Sequence, residues 1–148
     1  MKNKPEDYLK YWRVIRQFMK VKYGLSQSDL DVLLFLYSES YFDRDRFDEF
    51  NSLLAWDTKR FSNLLKDGWI EIFRKHRGKY KSIYVISSRG KAVVRSIYRK
   101  LNGEEIPVSL SQNSMFLKNV SYTDKVYRNM IVKMNEAIRQ QRHQTPEE

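Results

Sequence analysis

Apolar positions in residues 6–23 recur at three- and four-residue steps: Tyr8, Tyr11, Trp12, Ile15, Phe18 and Met19. That spacing gathers them on one face and predicts an amphipathic helix, stopped by Gly24. Ser26 or Ser28 can cap a second helix, whose first turn holds Asp29 and Asp31 at the positive end of the helix dipole. The pattern carries that helix to about Tyr41, and Leu30, Leu33, Leu34, Leu36 and Tyr37 give it the broad apolar surface of a central core helix. Asp43 and Asp45 open a short third helix, with Phe47, Phe50, Leu53 and Leu54 pointing inward. A turn, Ala55-Trp56-Asp57, follows. Asp57 is placed as N-cap of a fourth helix through Lys66, ended by Asp67-Gly68. Two short helices across a tight turn make a helix-turn-helix.

The period then becomes strand-like. Trp69 to Arg74 and Lys81 to Ile86 are rich in β-branched and aromatic residues, and His76-Arg77-Gly78-Lys79-Tyr80 between them reads as a hairpin loop. Ser87 or Ser88 caps a helix from about Arg89 to Leu101. Residues 102–119 contain Gly103 and Pro107 and are the least regular stretch. Ser121 or Thr123 starts a last helix to about Arg142, with the stripe Tyr127, Met130, Ile131, Met134, Ala137 and Ile138. Gln144 to Glu148 reads as a frayed tail. The expected fold is mainly α with a small β-hairpin wing (α+β), one domain over 1–148 with no internal repeat.

Composition narrows the class. A hydrophobic share of 41% and an aromatic share of 14% argue against disorder in a chain of 148 residues. With no cysteine there are no disulfides, thiolate metal sites or thiol redox sensing. The N-terminus is charged from Lys2 onward, unlike a signal peptide, and no apolar run approaches the roughly 20 residues a membrane span needs. A soluble, cytoplasmic protein without membrane contact is expected.

The net charge of +10 is not spread evenly. Residues 70–101 hold Arg74, Lys75, Arg77, Lys79, Lys81, Arg89, Lys91, Arg95, Arg99 and Lys100 against the single acid Glu71, while the two flanks are almost neutral. A local excess is the footprint expected for a polyanion, with a solvated basic face as the plain alternative.

The order of elements, helix, helix, helix-turn-helix, hairpin, helix, helix, resembles the MarR family of multiple-antibiotic-resistance regulators over about residues 8–101, with the last helix as an extension. The closest segments are Leu25-Ser26 leading into the second helix, and Phe61-Ser62-Asn63-Leu64-Leu65-Lys66-Asp67-Gly68-Trp69-Ile70. Ser87-Ser88-Arg89-Gly90 is similar to the Leu-Thr-x-x-Gly that follows the family's wing, with Ile86-Ser87 in place of Leu-Thr. The family's wing often carries Asp-x-Arg, whereas this loop has no acid, so Arg77 lacks an orienting carboxylate. The resemblance implies a winged helix-turn-helix transcription regulator: a core over about 25–101, and dimerisation helices over about 6–23 and 121–142 that interlock across a two-fold axis. It also implies double-stranded DNA as partner and allows a small-molecule effector, unknown in kind, between the terminal helices and the winged core.

On that reading the fourth helix turns Phe61, Leu64 and Leu65 inward and presents Thr58, Lys59, Arg60, Ser62, Asn63 and Lys66 outward. Arg and Lys pair with guanine, Asn with adenine, and Ser and Thr with bases or phosphates. Thr58, Lys59, Arg60, Ser62 and Asn63 are therefore the candidate base readers; an ordinary solvated helix face is the alternative. Lys66 joins Arg74, Lys75, Arg77, Lys79, Tyr80 and Lys81 as candidate phosphate and wing contacts. Like charges so close repel in the free protein and become favourable opposite phosphates through counterion release; an edge protected by lysines is the alternative. Tyr8, Tyr11, Trp12, Ile15, Phe18 and Met19, with Tyr127, Met130, Ile131, Met134 and Ile138, are the candidate dimer contacts, against packing within one subunit.

Catalysis finds no footing. Gly78-Lys79 and Gly90-Lys91 are isolated dipeptides, not a phosphate loop, and no nucleophile–His–acid set occurs. His76 reads as a loop residue more readily than as a pH switch, and with His143 alone beside it no metal site or cofactor is expected. The competing function is a structural or assembly protein that uses a winged helix to bind protein, or nucleic acid without reading its sequence.

Overall fold

Ser26 accepts a hydrogen bond from the Asp29 amide at 3.0 Å and so starts the central helix, while Gly24, in the left-handed conformation (φ 65°), ends the helix before it. These boundaries come from a computed structural model that describes residues 9–54 and 57–144, without the side chains of His143 and Gln144. Tyr8, the turn residues Ala55 and Trp56, the side chain of His143 and the tail after Gln144 therefore lie outside the described residues.

The described chain forms α1 (Trp12–Tyr23), α2 (Gln27–Tyr37), α3 (Arg44–Asn51), α4 (Arg60–Lys66), β1 (Ile70–Arg74), β2 (Ile83–Ile86), α5 (Ser88–Leu101) and α6 (Tyr122–Gln144). The two strands pair antiparallel, Ile70 opposite Ile86 and Ile72 opposite Tyr84, with an irregularity between Ile72 and Arg74. This is the mainly α chain with a small hairpin wing that the periodicity implied. It divides into two compact units: residues 25–95 in one, and the segments before and after them in the other.

The first unit is the winged helix-turn-helix. Leu30, Val32, Leu33 and Leu36 of α2, Phe42, Phe47, Phe61, Leu64 and Ile86 are buried. Asp43 caps α3 by accepting from the Arg46 amide at 2.9 Å. Several boundaries differ from the sequence expectation. The second helix stops at Tyr37, not Tyr41, because Phe42 leaves the helical path to exchange backbone hydrogen bonds with Tyr84 of β2 (3.1 and 2.8 Å). Periodicity cannot register such a pairing across the fold, and it outweighs local helix preference. Leu53, expected inward, is 71% exposed, because α3 ends at Asn51 before its face returns to the core.

The second unit packs α1 against α6. Val14, Ile15, Phe18 and Met19 of α1 and Ile131, Met134 and Ile138 of α6 are buried within this one chain. The residues between α5 and α6 have little regular structure, apart from a 3-10 turn at Ser114–Phe116, yet they are firmly held. Asn135, buried on α6, accepts from the Ile106 amide (3.0 Å) and donates to its carbonyl (2.9 Å), as a neighbouring strand would. Asn113 donates to the Pro107 carbonyl (2.9 Å) and accepts from the Met115 amide (3.1 Å). Buried amides must find partners, and where no helix or strand supplies them asparagine side chains do.

Candidate nucleic-acid interface

The site is built where α4 runs into the hairpin. At its start, Asp57 accepts from the Lys59 amide (2.9 Å) through its side chain and from the Arg60 amide (3.2 Å) through its carbonyl. This local turn delays the helix: α4 begins at Arg60 rather than directly after Asp57, and Thr58 and Lys59 form the turn that leads in. The far end closes with the Trp69 amide on the Leu64 carbonyl (2.9 Å) and the Gly68 amide on Leu65 (3.2 Å), with Gly68 at φ 80°. That paired closure is a Schellman motif, and the positive φ is why glycine stands there.

Arg60 departs most from expectation. Taken from the sequence as an outward base reader, it is 6% exposed and faces inward with Phe61 and Leu64. Its guanidinium donates to Asp29 Oδ1 (3.0 Å) and to Asn51 Oδ1, while Asn51 Nδ2 donates to the Asp57 carbonyl (3.3 Å). One buried cation thus ties together the start of α2, the end of α3 and the lead-in to α4. Its partner Asp29 is 31 positions away, so spacing along the chain gives no sign of it. Thr58, Lys59, Ser62, Asn63 and Lys66 are all exposed, and form the outer face of α4 and its leading turn.

The hairpin is held from beneath by aromatic rings. Phe61 meets Phe47 and Tyr84 edge-on, with centroids 5.0 and 4.9 Å apart, and the Arg44 guanidinium lies 4.3 Å from the Phe61 ring centre. At its base Ser87 donates to the Trp69 carbonyl (3.0 Å) and accepts from the Gly90 amide (3.0 Å). A Cβ on Gly90 would stand 2.7 Å from that same carbonyl and from Ile86 Cγ1, so only glycine allows α5 to start this close to the wing. Arg89 belongs to this joint. It stacks 3.8 Å over Trp69 and donates to the Asp67 carbonyl (2.7 Å).

At the tip, Arg77 and Tyr80 exchange backbone hydrogen bonds (2.9 and 3.0 Å) around Gly78, at φ 58°. This tight turn needs a left-handed first residue. Ser82 accepts from the His76 amide (2.8 Å), and His76 lies exposed in the loop. Arg74, Lys75, Arg77 and Lys79 are exposed, and among the described residues none has a carboxylate partner. Lys81 is different: it pairs with Asp45 of α3, which, with help from Asp43, raises the Lys81 pKa above its ordinary value. Along the sequence Asp45 is an acid at a helix start; its role in tethering the wing arises from tertiary approach.

The basic stretch of the sequence is divided between the two units. Arg99 and Lys100 belong to the other unit and share Glu104 (3.0 and 2.9 Å), Lys100 being buried and also donating to Ser96 (2.9 Å). Of the expected dimer contacts, Ile15, Phe18, Met19, Ile131, Met134 and Ile138 are consumed in the chain's own interior, so they are not surface available to a partner. Tyr11, Trp12 and Tyr127 are half-buried and Met130 is exposed.

No helix among the described residues is long and apolar enough to cross a membrane, and no cluster of three potential metal ligands occurs among them. No protein-family model matches the chain, and no curated protein matches it. Among solved structures, disulfide-formed AbfR aligns over 94% of this chain and 89% of its own, at 16% identity and a TM-score of 0.45. Reduced AbfR bound to DNA aligns over 89% and 88%, at 17% identity and a TM-score of 0.42. The likeness is loose. This chain has no cysteine, so no disulfide can form within it.

Proposed function

We propose that this chain binds double-stranded DNA as a winged-helix transcription regulator, with the outer face of α4 in the major groove and the hairpin on phosphates. One observation carries the reading: Arg74, Lys75, Arg77 and Lys79 project from a rigidly based hairpin, and among the described residues no acid pairs with them. Such a cluster gains most opposite a polyanion. Beside it, Thr58, Lys59, Ser62 and Asn63 supply the donors and acceptors that base edges require. Arg60 drops out of the reader set, and Lys66 stays with the phosphate contacts. Without an acid in the loop to orient Arg77, the wing acts as a phosphate clamp, and sequence is read from α4.

The regulator is proposed to work as a homodimer, presenting two α4 helices to half-sites about one helical turn apart. Support comes from α6, where Tyr122, Val126 and Met130 recur at four-residue steps and are all exposed. Met130 belongs to the expected set of dimer contacts, whereas Tyr122 and Val126 do not, and Ile131, Met134 and Ile138 of that set are buried.

The test combines solution mass with binding to random and selected duplexes across a salt series. A dimer with a selected sequence preference is expected. A monomer without preference sinks the regulator, and no affinity for either duplex even at low salt sinks duplex binding altogether. Asn63→Ala should change which sequence is preferred, by about 1–3 kcal/mol at one base pair; an unchanged preference would place the reading face elsewhere.

A further inference from the structure

Beside the hairpin the molecule carries exposed rings that duplex phosphates do not explain. Tyr80 at the wing tip is 60% exposed. Tyr41 (55%) and Phe73 (58%) pack against each other in the open, their centroids 4.6 Å apart and their planes tilted by 48°. Between the α2–α3 link and the wing runs a groove of about 500 Å³, lined by Tyr41, Arg74, Lys79, Tyr80, Lys81 and Ile83 with Phe42 and Asp43. That volume is within the range of small-ligand sites. Its one acid, Asp43, is already engaged in capping α3.

Large rings left in water lose the hydrophobic gain of burial, and a cluster of them marks a surface that is covered in use. The cations around them select what covers it. An apolar protein surface would have to desolvate Arg74 and Lys79 without pairing them. A duplex offers phosphates, but its bases are stacked on one another and present no free face. A single strand offers both phosphates for the cations and unstacked bases for the rings.

We propose that the groove between the α2–α3 link and the wing is a binding site for single-stranded nucleic acid, with a base stacked on Tyr80 and a second on Tyr41, and the intervening backbone on Arg74 and Lys79. The site is separate from the outer face of α4, so it stands whether or not that face reads duplex DNA. It equips the wing to hold an unpaired stretch.

The test measures the full chain by fluorescence anisotropy against four probes: a ten-nucleotide thymidine strand, the matching uridine strand, an abasic strand with the same phosphates, and a duplex. The thymidine or uridine strand is expected to bind about tenfold tighter than the abasic one, and the tighter of the two identifies DNA or RNA as the source. Tyr80→Ala should shrink that ratio towards one and Tyr80→Phe should restore it, since stacking needs the ring and not the hydroxyl. Arg74→Ala should weaken the base-bearing and abasic strands alike and leave the ratio standing. Equal affinity for base-bearing and abasic strands overturns the proposal. Failure of the duplex arm alone overturns the α4 reading instead.

Discussion

The hairpin and the end of α5 are both dense in lysine and arginine, yet the fold treats them oppositely. Around the wing tip, Arg74, Lys75, Arg77 and Lys79 are exposed and form no ion pair among the described residues. At the end of α5, Arg99 and Lys100 converge on Glu104, and farther along the same unit Arg139 and Arg142 clamp Glu105 at 2.7 and 3.1 Å. Positive charge in the second region is structural: it closes an irregular segment onto α6. In the first it is kept available. Charge density along a sequence therefore does not equal charge offered to a partner, and only the uncompensated part can release counterions from a bound polyanion.

The largest effect expected from this contrast comes from emptying the hairpin. Replacing Arg74, Lys75, Arg77 and Lys79 together by alanine should weaken duplex binding about a thousandfold at roughly 0.1 M salt, and flatten the log–log salt slope by about 3.6 if all four meet phosphates. A salt titration by anisotropy reads both quantities. Replacing Arg99 instead should leave that slope where it was; if the two changes act alike, the distinction between the regions fails.

Next in size is the buried cation of the winged unit. Arg60→Met should lower unfolding stability by about 2 kcal/mol in a urea titration, because Asp29 and Asn51 lose a charged partner in a partly buried place. If Arg60 is a base reader after all, the variant would instead keep its stability and lose sequence preference.

The smallest effect is a dependence on pH. Burial alone would raise Glu104, but Lys100 and Arg99 outweigh it and hold its pKa below the ordinary 4.5; Arg139 above all, with Arg142, lowers Glu105 in the same way. A carboxylate whose pKa is lowered by folding stabilises the folded state above its unfolded pKa, and that contribution is lost as pH falls through the folded value. The α1–α6 unit should therefore lose a few degrees of thermal midpoint between about pH 6 and about pH 3. The double change Glu104→Gln and Glu105→Gln should flatten the profile while lowering stability at neutral pH. A profile unchanged by that pair would show that the clamp contributes nothing.

Much of the fold was legible in the pattern of residues because the signals are local. Gly24, Ser26, Asp43 and Gly68 mark helix ends through φ or side-chain capping, and the hairpin follows from two β-branched runs flanking Gly78. The site was legible in part. The outward set on α4 comes from helical spacing, which held for Ser62, Asn63 and Lys66. It failed for Arg60, because a helix face is set by what packs against it, and a charged residue turns inward when an acid waits there.

By itself, the sequence determined the succession of elements, the wing and the concentration of cations around it, since each depends on residues within a few positions of one another. Only the tertiary structure decided that Phe42 pairs with Tyr84, that Asp45 restrains Lys81 and that Asp29 and Asn51 capture Arg60. It likewise decided that Ile15, Phe18 and Met19 of α1 and Ile131, Met134 and Ile138 of α6 are spent inside the chain. Those outcomes join residues far apart in sequence, and no local pattern encodes which distant partner satisfies a buried hydrogen bond, a charge or an apolar face.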